Sequence, residues 1–360
     1  MAYTDVDNST NYFRVKIYNG DGTDDRNITW DESSNMQPDM LWSKRRDSAD
    51  NYSIYDIVRG SGLELRTNTT DADLSRTNNI QALQTNGFQV GTDGQVNASG
   101  GTYVSWGWLA NNTSGSSNTN GSITSTVSAN TTSGFSIVSY TGTGSDGATV
   151  GHGLGATPAC IIIKNRTDSA AAFWCVYHQK SFVSQSDPGV LYLNDTGARS
   201  ADTNVFGLST VTIDSDVFSL GNYNGSNGSG DNMIAYCFAE KQGFSKMGVY
   251  TGNGSTDGTF IYTGFKPAFV LTKWSTGSSS WYVYDNRRSD NDEGNPQDRY
   301  LRPNVANGEG SDHPGYDFVS NGFKNRNGDP DLNVSGRTYI YMAFAENPFV
   351  TSTGIAGTAR

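Results

Sequence analysis

The chain is short of the residues that charged surfaces, membranes and catalytic sites depend on. Asp, Glu, Lys and Arg make up 17% of its 360 residues, against about 25% in an average globular domain. Lys and Arg number 25 against 36 acids, a net charge of −11. The largest basic cluster is Lys44-Arg45-Arg46, too small for the basic footprint that nucleic-acid binding needs. No apolar run approaches the roughly 20 residues of a membrane span. Met1-Ala2-Tyr3-Thr4-Asp5 lacks the basic start and apolar run of a signal peptide. The cysteines are only three, Cys160, Cys175 and Cys237. An odd, widely spaced set predicts small buried residues and no disulfide frame or metal knuckle. Histidines are also three: His152, His178 and His313. With no Gly-x-Ser-x-Gly, His-x-x-x-His or Cys-x-x-Cys, nothing signals a nucleophile elbow or a zinc site. The chain has instead 42 Gly, 19 Tyr, 16 Phe and 7 Trp, with much Asn, Ser and Thr. Aromatics in that number build cores and argue against disorder.

Internal repetition organises the rest. Tyr18-Asn19-Gly20-Asp21-Gly22, Tyr140-Thr141-Gly142-Thr143-Gly144 and Tyr250-Thr251-Gly252-Asn253-Gly254 open three segments. Each leads to a proline, then an apolar run ending in lysine six positions on: Pro38 to Lys44, Pro158 to Lys164, Pro267 to Lys273. A second strand follows, with Tyr52 to Asp56, Trp174 to His178 and Trp281 to Asp285 in register. Ser99-Gly100, Ser229-Gly230 and Ser335-Gly336 open the last strands. There Val104/Trp106/Trp108, Ile234/Tyr236/Phe238 and Ile340/Met342/Phe344 alternate with the opposite face, predicting half-buried strands.

Starts spaced by roughly 110 to 120 residues match self-contained domains. The expected class is all-β: three tandem antiparallel β-sandwich or jelly-roll domains at 1–110, 135–243 and 244–348. Uncharged 111–134, almost all Asn, Ser, Thr and Gly, reads as a linker, and 349–360 as a tail. The best helical stretch is 71–82.

Several motifs resemble sites. Gly142-Thr143-Gly144-Ser145-Asp146-Gly147 fits a dinucleotide pattern, but no helix follows it and the other copies break the spacing. Asp21, Asp24 and Asp25 form one acidic loop, and Asp290, Asp292, Glu293 and Asp298 another. Calcium favours such oxygens, so Asp21, Asp24 and Asp25 are the metal candidates, although no EF-hand register exists. No other cofactor is indicated. Paired carboxylates also serve glycoside hydrolysis, but chance pairs are common among 36 acids. Trp30 and Trp274 lie near loops or strand ends, where a ring can stack on a sugar. Trp274 has no aromatic counterpart in the other copies. The ligand-binding candidates are thus Trp274, Trp30, Asp290, Asp292 and Glu293. Recurrent Trp174/Trp281, Tyr55/Tyr177/Tyr284 and Lys44/Lys164/Lys273 read as parts of the shared fold.

Gly87 to Gly91 followed by Val96-Asn97-Ala98-Ser99-Gly100-Gly101-Thr102-Tyr103-Val104-Ser105-Trp106 resembles the end of a SPRY-like, concanavalin-like domain of the form found in virion proteins of marine bacteriophages. Asn333 to Phe349, Tyr236 to Glu240 and Gly134 to Tyr140 are similar to the same group, so the resemblance runs from about Tyr12 to Arg360. It implies a non-enzymatic virion structural protein: a tail fibre, tail appendage or capsid decoration. The implied partners are capsid or tail proteins and a host cell-surface glycan. The implied location is the virion surface, after synthesis in the host cytoplasm. Symmetric copies, such as a homotrimer, are expected of an appendage. Competing readings are a ligand-free cement protein and a surface-polysaccharide depolymerase. No heptads or collagen-like run point to a long shaft.

Overall fold

The computed structural model describes residues 3–170, 172–208, 210–290, 294–311, 315–328 and 331–357. The fold is all-β. Each repeat builds the same four-stranded antiparallel order, with the closing strand inside. In repeat 1 this is Phe13–Asn19, Thr102–Trp108, Met40–Arg45, Ser53–Asp56. In repeat 2 it is Phe135–Thr141, Asn232–Phe238, Cys160–Asn165, Cys175–His178. In repeat 3 it is Ser245–Thr251, Thr338–Pro348, Phe265–Trp274, Tyr282–Asp285. A smaller sheet accompanies each, centred on the pairs of Gly87–Val90, Val217–Leu220 and Gly322–Asn325. The result is an antiparallel sandwich three times over.

The two recurrent glycine motifs lock together. A Cβ on Gly20, Gly142 or Gly252 would sit 2.2, 2.2 or 2.3 Å from the carbonyl oxygen of Ala98, Gly228 or Val334, so only glycine lets the two loops touch. Buried Asn97, Asn227 and Asn333 clamp the opening loop. Each accepts a backbone N–H of that loop (from Asp21, Thr143 and Asn253) and donates to two carbonyls.

The closing strands are not half-buried. Val104, Trp106 and Trp108, with their counterparts in repeats 2 and 3, face one hydrophobic core to which all three repeats contribute. Their opposite faces pack on each repeat's own small sheet, as where the Trp30 ring meets Gly107. Trp108, Phe238 and Phe344, equivalent in the repeats, meet at centroid distances of 6.4, 5.5 and 5.7 Å. The repeats follow one another in sequence, but their central core is common.

Two sequence expectations are corrected here. The 111–134 stretch is no loose linker: Ser116–Asn118 and Ser125–Asn130 extend the sheet of repeat 2, and Ile123 and Val127 enter its core. Ser and Thr suit a strand once a free edge offers hydrogen bonds. The 71–82 stretch holds the short strand Leu74–Ser75 and the start of Ile80–Gln84, not a helix. Pairing to Val90 buries Ile80 completely, and that burial overrides local propensity. The α-helices among the described residues are two single turns, Gly94–Asn97 and Asn224–Asn227.

Candidate functional site

Several polar groups that recur in the repeats join the repeats to one another. The Trp174 indole N–H of repeat 2 donates to Arg66 O of repeat 1 (2.9 Å), and Trp281 of repeat 3 donates to Tyr192 O of repeat 2 (2.9 Å). The Thr67 hydroxyl of repeat 1 donates to Pro303 O of repeat 3, which closes a ring. Lys44, Lys164 and Lys273 are buried. Each donates to the carbonyl of the next residue and to a second carbonyl: Ser48 O for Lys44, Gly277 O for Lys273 and, across to repeat 1, Thr70 O for Lys164. Burial pulls all three ammonium groups down to about 8.

Two of the three interfaces carry a buried ion network of the same design. Asp56 accepts from Arg59 Nε (2.5 Å) and from the Tyr236 hydroxyl of repeat 2 (2.7 Å). Arg59 also reaches Asp73, which pairs with Arg166 of repeat 2. Asp285 likewise accepts from Arg288 Nε (2.6 Å) and from the Trp106 indole of repeat 1 (2.9 Å). Arg288 reaches Glu309, which binds Arg46 of repeat 1 in bidentate fashion. Burial opposes both buried guanidinium charges. The facing carboxylates outweigh it and hold Arg59 and Arg288 above their ordinary value.

The third interface differs because His178 replaces the aspartate, Ser181 the arginine and Met342 the aromatic donor. His178 Nε2 donates to Tyr341 O (3.1 Å) while Nδ1 accepts from Lys180 N–H. Burial pushes the imidazole down to about 4. The unfolded chain takes up a proton near pH 6.5, and the folded chain does not until about pH 4. The stability held above pH 6.5 is therefore lost as pH falls toward 4. Urea unfolding at pH 7 and pH 5 should show the wild type losing about 2 kcal/mol more than His178→Gln. Parallel losses in the two proteins would remove His178 from the acid response.

The sequence-predicted site residues do not converge. Trp30 is 4% exposed and donates its indole N–H to Met36 O, so it is a core residue with no face for a ligand. Trp274 is half-buried: Arg337 lies 3.7 Å from its ring centroid, and its indole N–H bonds Thr276. Asp290 is exposed and paired with Arg299. Asp292, Glu293 and His313 lie outside the described residues. Asp21 accepts from Thr23 and pairs with Arg26, interactions that hold its carboxyl below the usual range. Asp24 accepts from Gln81 and the Asp25 N–H. Among the described residues, no three His, Cys, Asp or Glu are grouped to hold a metal ion. The three cysteines are free and buried, and burial pushes their thiols up. His152 is buried against Asp214 O and is pushed down by that burial.

An exposed apolar surface lies elsewhere, on repeat 3. Val249, Phe260 and Tyr262 are 42%, 47% and 52% exposed, and they line an open cleft of about 460 Å³ together with Lys180 and Lys246. The cleft runs between the edge of the Ser245–Thr251 strand and the edge of Phe260–Tyr262. Sequence reasoning passed over these residues. The usable signal was the repeat alignment through Phe88, Phe218 and Phe323. It sets Phe260 against Asn27 and Thr149, and Tyr262 against Thr29 and Gly151.

A protein-family model described as Domain of unknown function (DUF7483) matches residues 8–348. No curated protein matches the chain, and no solved structure does.

Proposed function

The chain belongs to the DUF7483 family, whose description assigns no function, and we propose that it is a non-enzymatic structural and attachment protein of a bacteriophage particle. The observation that carries this reading is the ring-closed body. Three repeats share one core, and their charged networks lie in the joints between repeats. Such a body suits a load-bearing decoration or a fibre-tip knob, with exposed loops and edges left for binding. Among the described residues, the histidines and cysteines are buried inside the fold, which leaves the exposed loops and edges as the surface open to a partner. One repeat faces neighbouring virion proteins. Trp274, half-exposed beside Arg337, is the ring on which a host-surface glycan stacks. Symmetric copies on the particle belong to the same proposal. Purified protein should bind host cells and block infection, and Trp274→Ala should weaken binding about tenfold, or ~1.4 kcal/mol, at a temperature where circular dichroism shows the variant folded. Protein that neither binds host cells nor blocks infection would end the attachment role.

A further inference from the structure

The repeat-3 cleft has a counterpart in each of the other repeats, and in each the chain itself crosses it. In repeat 2, Ser125–Asn130 pairs with the edge of Phe135–Thr141. Just before it, Ile123 bridges to Val150 on the small sheet, its N–H donating to Thr149 O (2.9 Å). Ile123 and Val127 are buried by this crossing. In repeat 1, the loop after Arg26–Ile28 returns over the edge, where Asp31 pairs with Lys16 and Ser34 O accepts from Arg14. In repeat 3 only Thr263 and Gly264 join Phe260–Tyr262 to the next strand, so no loop is long enough to cross.

We propose that this cleft takes an extended, acidic strand from a partner polypeptide, added to the edge of Ser245–Thr251 at Val249. Register supports the geometry. The Phe244 carbonyl accepts from Ala345 and the Gly252 N–H donates to Arg337 O, so the even-numbered residues face the closing strand. Met247, Val249 and Thr251 therefore turn their backbone groups outward. Glu240 and Gln179 already cap Met247. The Ser245 N–H donates to Lys241 O and the Thr251 carbonyl accepts from the Thr259 hydroxyl, which leaves Val249 as the docking point, at the position of Ser139, which pairs with Thr126 in repeat 2. Charge supports the acidic partner. Lys246 stands where repeat 1 has Arg14, which is met by Ser34 O and has Glu32 at 3.7 Å. Lys180 and Lys246 line the cleft, and the carboxylate of Glu240 at its margin is already engaged by the Met247 N–H and the Gln179 amide. Main-chain bonds to Val249 would supply affinity, and contacts to Phe260 and Lys246 would supply selectivity. The contact needs no virion and holds for any partner presenting such a strand.

The test uses the full chain and a ten-residue peptide copying residues 121–130, with glutamate in place of Ala129, the residue opposite Ser136. At millimolar peptide, exchange of the Val249 amide should slow about tenfold. Lys246→Glu should weaken binding about tenfold. Val249→Pro, which removes an outward N–H and no sheet bond, should abolish it. Melting temperatures of both variants are the check that they fold. An unchanged Val249 amide, or equal binding by Lys246→Glu, overturns the proposal. So does an oligosaccharide panel that shifts the Phe260 and Tyr262 ring resonances while the peptide leaves Val249 unaffected.

Discussion

Phe344→Ala should destabilise the whole chain by about 3–5 kcal/mol, the usual cost of removing a buried phenylalanine. The ring is 1% exposed and touches Trp108 and Phe238, its equivalents from the other repeats, and stacks on Phe13 at 5.2 Å. A cavity there opens against all three repeats at once. Calorimetry should therefore show one transition moving down as a unit. Amide exchange at Trp106 in repeat 1 and Tyr236 in repeat 2 should quicken along with repeat 3. Wild-type protection in repeats 1 and 2 alongside a loosened repeat 3 would mean that the repeats fold independently.

Arg288→Ala should cost about as much, roughly 3–5 kcal/mol, because it strands a buried carboxylate. Asp285 would lose its charged partner and keep the Trp106 indole and the Arg287 N–H, and Glu309 would lose one of its two arginines. Both acids are largely shielded from water. Replacing the pair together, Asp285→Leu with Arg288→Met, should recover part of the loss, since no buried charge then stands alone. Trp106 would still lack an acceptor, so recovery stays incomplete. Urea midpoints of the single and double variants check this. If the double variant is worse by the sum of the two single losses, the ion network contributes nothing as a unit.

Strand identity was legible residue by residue. Trp106, Tyr236 and Met342 alternate with small or polar neighbours in a period of two, and Gly20, Gly142 and Gly252 mark the turns. What those alternating residues face was not legible. A period-2 pattern looks the same whether its apolar side meets a partner sheet or a core shared by other repeats. The 111–134 stretch misleads for a related reason. Ser, Thr and Asn describe a linker by composition, and Ser125–Asn130 becomes a strand because Phe135–Thr141 leaves an edge beside it. Trp30 shows the same limit at a candidate site. Its place near a strand end suggested exposure, but the Met36 carbonyl and the bare Cα of Gly107 make room for it inside.

From the sequence alone came the all-β class, the three copies, the aligned strands and the glycines of the locked loops. These rest on local rules: side-chain alternation, backbone freedom and spacing along the chain. Only the tertiary structure decided that the copies close on one another through Asp56, Asp285 and His178, and that the cleft at Val249 and Phe260, which the chain crosses in the other two repeats, stays open in repeat 3. Closure depends on distances between residues more than a hundred positions apart. No local pattern encodes such a distance, and packing settles it when the three sheets bury their inner faces together.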